Sequence, residues 1–168
     1  MDKFSSILMN FANKINLSGL RIDPSGYCCL DVDNGTLIHL KYDNKRDGMM
    51  LISEIGELPE MNRAAIMRYL LRMNDDAEET KGMTLSFNTE SGKAALGYQY
   101  PLRFLTDEGF EEFFKLFIDE AQRWAKRIEG FMQGQLPEGE ELCENKDSGS
   151  GGAPEMAGGV PPQFMMGA

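Results

Sequence analysis

The chain has 168 residues, of which 42% are hydrophobic and 26% are charged, so its size and composition suit one soluble globular domain. Its 27 acidic and 17 basic residues give a formal net charge of −10, which disfavours nucleic acid and anionic membranes and favours basic or aggregation-prone protein partners. No apolar run is long enough to span a bilayer and the first residues lack a secretory pattern, so we expect the protein to stay where it is made.

The first predicted element is an amphipathic helix over residues 2–17. Its apolar side chains recur three and four residues apart, which is the spacing of one helix face. Ser18 and Gly19 follow the last of them, and glycine commonly ends a helix. The apolar positions are Phe4, Ile7, Leu8, Phe11 and Ile15.

A β-hairpin is predicted next, with strands over residues 27–33 and 36–42 around Asn34-Gly35. A two-residue turn would mix apolar and polar side chains on each face. A three-residue loop with Gly35 in the left-handed conformation gathers the apolar side chains on one face, and we therefore predict that loop. The apolar face then holds Cys28, Leu30, Val32, Ile38, Leu40 and Tyr42, and the opposite face holds Cys29, Asp31, His39 and Lys41.

The rest of the ordered region alternates between strand and helix patterns. The predicted elements are a strand over 49–55, a helix over 60–73, strands over 83–88 and 93–100, and a helix of about 39 Å that begins at the capping residue Thr106. The order is α-β-β-β-α-β-β-α. Because short loops join the strands, it predicts an α+β domain with an antiparallel sheet.

The composition changes near Gln133. Residues 133–168 contain eight glycines and four prolines and show no apolar periodicity. Such a segment buries too little apolar area to offset the entropy of ordering. We therefore predict an ordered domain over residues 1–132 and a disordered acidic tail over 133–168.

Few residues are available for metal or thiol chemistry. The chain has three cysteines and one histidine, and an odd cysteine count without a signal sequence indicates reduced thiols. Asp31 to Gly35 is similar to the start of a calcium loop, but Tyr42 stands where the twelfth-position glutamate is needed. We predict no metal and no cofactor.

Two alternative functions stay open. Cys29 and His39 face each other across the hairpin and could form the thiolate–imidazole pair of a small enzyme, although no oxyanion motif accompanies them. The chain could also be a general protein-binding adaptor whose tail residues 164–166, Phe-Met-Met, dock on an apolar groove, the domain's own included.

The ordered set of motifs resembles the class I type III secretion chaperones of the Tir-chaperone family over residues 4–130. The resemblance lies in the opening helix FSSILMNFANKINL, the strand from Gly26 to Asp33, and the third strand that ends at Glu54-Ile-Gly56 before Leu58-Pro59. It continues in Tyr69-Leu70-Leu71 followed by Asn74, and in the late helix FEEFFKLFIDEAQRWAKRI with its Trp124.

The resemblance implies a cytoplasmic bacterial homodimer that catalyses no reaction. Such a chaperone binds the N-terminal, non-globular segment of secreted effectors, keeps it soluble, and delivers it to the export apparatus or its ATPase without using ATP itself. By position in the family, effector contacts would be Phe4, Ile7, Leu8, Phe11, Ile38, Leu40 and Met50. Dimer contacts would be Ile66, Tyr69, Leu70, Met73, Met83 and Leu85.

Overall fold

The structure, a computed structural model, describes residues 2–32 and 35–135. The predicted α+β element order is confirmed, with a short extra helix before the fourth strand and a 3-10 turn before the last helix. The elements are α1 (Lys3–Lys14), β1 (Tyr27–Val32), β2 (Thr36–Asp43), β3 (Gly48–Glu57), α2 (Arg63–Asp75), α3 (Ala77–Thr80), β4 (Thr84–Asn88), β5 (Lys93–Pro101) and α4 (Asp107–Met132). The tail predicted over 133–168 lies, from residue 136 onward, outside the described residues.

Helix boundaries follow from local backbone chemistry. Asp2 caps α1, because its carboxylate accepts a hydrogen bond from the Ser5 N–H at 2.7 Å. The predicted cap of α4 is confirmed, since the Thr106 hydroxyl accepts from the Gly109 N–H at 3.0 Å. Helix α2 begins three residues later than predicted, because Asn62 adopts a left-handed conformation with φ of 63°.

The five strands form one antiparallel sheet in the order β1-β2-β3-β5-β4. Strand β5 therefore lies between β3 and β4, and the two edges of the sheet are β1 and β4. The predicted register of the first hairpin is confirmed, because Leu30 pairs with Ile38, Val32 pairs with Thr36, and Gly35 has φ of 75°. Residues 33 and 34 of the loop lie outside the described residues.

One face of the sheet carries the hydrophobic core. Helix α4 packs over β2 and β3, α1 packs against α4, and α2 packs beside β4. Phe11 makes edge-to-face contacts with Phe110 and Phe114, with ring centroids 5.2 and 5.1 Å apart. The largest fully buried side chains include Trp124, Phe4, Phe110, Phe117, Leu8, Ile38, Leu40 and Leu51.

Candidate functional site

The backbone of β1 has one side paired and one side open. The Tyr42 N–H donates to the Gly26 carbonyl at 2.8 Å, which sets the alternation of the antiparallel ladder. Residues 28, 30 and 32 therefore point their N–H and C=O groups toward β2. Those of residues 27, 29 and 31 point away from the sheet.

Asp23 satisfies the first of these outward positions. Its N–H donates to the Tyr27 carbonyl at 2.9 Å, and its carboxylate accepts from the Tyr27 N–H at 3.0 Å. Hydrogen bonds from Ser25 and then from Tyr27 hold the pKa of the Asp23 carboxyl below its ordinary value. Within residues 2–32 and 35–135, no hydrogen bond occupies the outward backbone groups of Cys29 and Asp31. A partner strand can therefore pair at these two positions.

An apolar groove runs alongside this open edge, between α1, β1 and α4. It consists of two adjoining hollows of about 460 and 420 Å³. Ile15 and Leu17 stand on its rim with 51% and 40% of their surface exposed. We call this feature the β1 groove; its apolar lining is Phe11, Ile15, Leu17, Leu20, Leu30, Val32, Phe114 and Ile118.

Most of the residues predicted to contact an effector are buried and do not line this groove. Phe11 lines the β1 groove and is half-buried. Met50 is also half-buried but lines a separate hollow on the other face of the sheet. The remaining five are almost completely buried in the core and offer a partner almost no surface: Phe4, Ile7, Leu8, Ile38 and Leu40.

A second apolar surface lies where α2 meets β4. Met61 and Leu71 are 77% and 68% exposed, which is unusual for large apolar side chains. A small apolar hollow of about 80 Å³ lies beside Leu71. We call this surface the α2–β4 patch; its apolar lining is Met67, Leu70, Leu71, Leu85 and Phe87.

Two of the six residues predicted for a dimer interface line this patch, and the others lie deeper in the protomer or beside it. Leu70 and Leu85 line its hollow, and Met73 is half-buried. The other three, Ile66, Tyr69 and Met83, are buried within the protomer. The dimer role of all six stays a prediction, and Leu71 on the same patch offers a second chain more surface than any of them.

The exposed apolar residues that the sequence reasoning missed share one signal. Leu71 lies outside the buried stripe of α2, and Leu17 follows the end of α1. Apolar residues outside a helix's buried stripe mark a surface that another element or chain can cover. Most of the predicted site residues were taken from the apolar stripes themselves, which form the core.

Cys29 and His39 are cross-strand partners, as predicted. The Nδ1 atom of His39 lies 2.8 Å from the Tyr27 hydroxyl, and the two rings stack with centroids 6.0 Å apart. Burial raises the pKa of the neighbouring Cys28 thiol to about 11, which keeps that thiol protonated and unreactive at neutral pH. In the described part of the chain, no three His, Cys, Asp or Glu residues are grouped to hold a metal ion.

No helix among the described residues combines the length and the apolar character that crossing a membrane requires.

Comparison with known proteins assigns the sequence to a family. The sequence model of the Tir chaperone protein (CesT) family matches residues 6–125. Among curated proteins, none matches the chain.

Several solved structures share the fold. The ExsC–ExsE complex has 26% sequence identity over 76% of this chain and 97% of the matched chain, with a TM-score of 0.66. The HopA1–SchA chaperone–effector complex has 18% identity over 74% and 94%, with a TM-score of 0.62. The Yersinia pestis type III secretion chaperone SycH, in complex with a fragment of YscM2, has 17% identity over 70% and 96%, with a TM-score of 0.56.

Proposed function

The chain belongs to the Tir chaperone protein (CesT) family, and we propose that it binds the N-terminal, non-globular segment of type III secretion effectors in the bacterial cytoplasm. It keeps these clients soluble and delivers them to the export apparatus. The family match and the chaperone–effector complexes among its structural neighbours support this function.

One observation of the molecule carries the proposal: an open strand edge lies directly beside an apolar groove. The outward N–H and C=O groups of Cys29 and Asp31 can pair with an extended client strand. Backbone pairing of this kind tolerates many client sequences, because it uses groups that nearly every residue carries. The β1 groove then selects clients whose side chains are apolar at alternate positions.

The mechanism needs no catalysis and no cofactor. A client segment held as an extra strand has its backbone hydrogen bonds satisfied and its apolar side chains covered, so it can neither aggregate nor fold. The strongly acidic composition of the chaperone keeps the complex soluble. Release at the export apparatus would be driven by that machinery.

We further propose that two copies associate through the α2–β4 patch. Exposed Leu71 lines the same apolar hollow as Leu70 and Leu85, so a second chain would cover exposed and half-buried apolar side chains together. Replacing Leu71 with aspartate places a charge at the centre of that surface. We expect Leu71→Asp to be monomeric by light scattering at micromolar concentration.

The control for this variant is Phe104→Asp, because Phe104 is 64% exposed but lies after β5, away from the patch. It should keep the wild-type mass. A Leu71→Asp protein that stays dimeric, or a wild type that is monomeric, would contradict the proposed interface.

Client binding is tested by charging the rim of the β1 groove. The chaperone would be co-expressed with the N-terminal segments of secreted proteins encoded near it, and the affinity for the captured segment measured by calorimetry. Leu17→Asp should weaken binding roughly tenfold or more, because it removes apolar contact and brings a carboxylate into the groove.

Leu37→Asp is the matched control. Leu37 is 44% exposed, nearly the same as Leu17, but it pairs with Asp31 on the face of the sheet opposite the core. Its replacement should change the affinity by less than about twofold. Equal losses in the two variants would show that the client does not use the β1 groove.

A further inference from the structure

We propose that the side chain of Asn74 closes the β4 edge of the sheet, so that a partner strand can add only at β1. The choice of edge is a property beyond client binding itself, and it rests on the strand-addition part of the proposed function. Asn74 would thereby be a residue that determines where a partner strand binds.

Asn74 forms a two-point clamp on the backbone of Leu85. The Leu85 N–H donates to the Oδ1 atom of Asn74 at 2.7 Å, and the Nδ2 atom of Asn74 donates to the Leu85 carbonyl at 2.9 Å. The carboxamide thus occupies both groups that a neighbouring strand would use at this residue. Asn74 is itself half-buried in the last turn of α2, which fixes its position.

The clamp identifies which backbone groups of β4 face outward. The backbone N–H and C=O groups of successive strand residues point in alternate directions. Because those of Leu85 point away from β5, those of residues 83 and 87 also point away, and those of residues 84, 86 and 88 face β5. The Met83 N–H already donates to the Thr80 carbonyl of α3 at 2.9 Å. Phe87, near the end of the strand, is then the one outward residue of β4 whose N–H and C=O have no partner within the described residues.

A single open residue is a poor docking site for a strand. Strand addition gains its stability from a run of hydrogen bonds along two or more outward residues. Strand β1 offers the consecutive outward positions 29 and 31, whereas β4 offers residue 87 alone. Without the clamp, the N–H and C=O groups of Leu85 would be open as well. Strand β4 would then offer two consecutive outward residues, as β1 does.

The carboxamide of Asn74 is chemically suited to this purpose. The asparagine side chain has the acceptor and the donor of a peptide group, so it mimics a short piece of neighbouring strand. The substitution Asn74→Asp would keep the acceptor for the Leu85 N–H but place a second acceptor against the Leu85 carbonyl. Alanine would leave both backbone groups open.

The first test needs no client. In the full-length Asn74→Ala variant, we expect the Leu85 amide to exchange with solvent roughly three- to tenfold faster than in wild type at low concentration. At high concentration, the variant should assemble beyond the wild-type oligomer by light scattering. In that assembly the Leu85 and Phe87 amides should become protected, because two opened edges pair.

Asn74→Asp is a second, milder variant that serves if Asn74→Ala unfolds the chain. The control is Asn13→Ala, which replaces an exposed asparagine on α1. The aspartate variant should assemble less than alanine but more than wild type, and the control should match wild type. Folded Asn74 variants that keep the wild-type size at all concentrations, with an unprotected Phe87 amide, would overturn the proposal.

The second test adds the captured client segment. In wild type the Phe87 amide should gain no protection, whereas in Asn74→Ala it should gain several-fold. Protection of Phe87 in the wild-type complex would overturn the role of Asn74. A client that protects no edge residue would instead defeat strand addition as the proposed function, while the client-free assembly still decides whether Asn74 closes β4.

Discussion

The two edge strands of this sheet, β1 and β4, differ in which of their outward backbone N–H and C=O groups are hydrogen-bonded by side chains from other elements. At β1, Asp23 satisfies residue 27 and leaves Cys29 and Asp31 open beside an apolar groove. At β4, Asn74 occupies Leu85, and the neighbouring apolar surface lies on side chains of α2. An edge strand is therefore not a docking site by position alone, because side chains from other elements decide which edge is available.

The β1 and β4 ends of the sheet also suit different modes of association. The β1 end combines open backbone with a groove, which suits an extended segment. The β4 end combines a backbone with a single open outward residue, Phe87, and an exposed apolar side chain at Leu71, which suits a folded partner such as a second copy. Under the proposed function, this division would allow one small domain to bind a client and a second copy at the same time.

The largest effect should come from proline at the open edge. Asp31→Pro removes an outward N–H without touching the ladder to β2, and it should weaken client binding roughly tenfold or more. Phe87→Pro makes the same change at β4 and should leave the client affinity within about twofold. Calorimetry with one client segment measures both. Equal losses would remove the distinction between the edges.

A smaller effect is expected on stability when the clamp is removed. Asn74→Ala should lower the free energy of unfolding by about 1–3 kcal/mol, because two hydrogen bonds to the Leu85 backbone are lost. Urea unfolding followed by the fluorescence of Trp124 measures this. A loss below about 0.5 kcal/mol would mean that the clamp contributes little to holding β4.

The smallest effect concerns pH at the start of β1. The pKa of the Asp23 carboxyl is lower in the folded chain than in the unfolded chain. The stabilisation that its hydrogen bonds give the folded state is therefore complete above the unfolded-state pKa and is lost as the pH falls through the folded-state pKa. We expect the protection of the Tyr27 amide to decrease in that acidic range. Asp23→Asn should remove this pH dependence, and an unchanged profile in the variant would show that Asp23 does not hold Tyr27.

The sequence predicted the fold well where a local pattern decides it. The register of the first hairpin followed from the need to collect apolar side chains around Leu30 and Ile38 on one face, and Gly35 supplied the required left-handed residue. The helices followed from their apolar stripes. These are features that neighbouring residues encode directly.

The site was less predictable because it depends on long-range placement. No local pattern shows that β5 inserts between β3 and β4, and that insertion makes β4 an edge. The predicted site residues, such as Leu8 and Leu40, were drawn from apolar stripes that the fold buries. The clamp of Asn74 on Leu85 joins two elements, and an asparagine near a helix end gives no sign of such a partner.

Amide hydrogen exchange at the β1 edge, measured by NMR on the full chain with and without a bound effector segment, tests client binding at the open edge most directly. We predict that the Cys29 and Asp31 amides, open in the free chain, become strongly protected in the complex. Unchanged exchange at both amides in a saturated complex would show that clients bind elsewhere, and the open edge would have no part in the function.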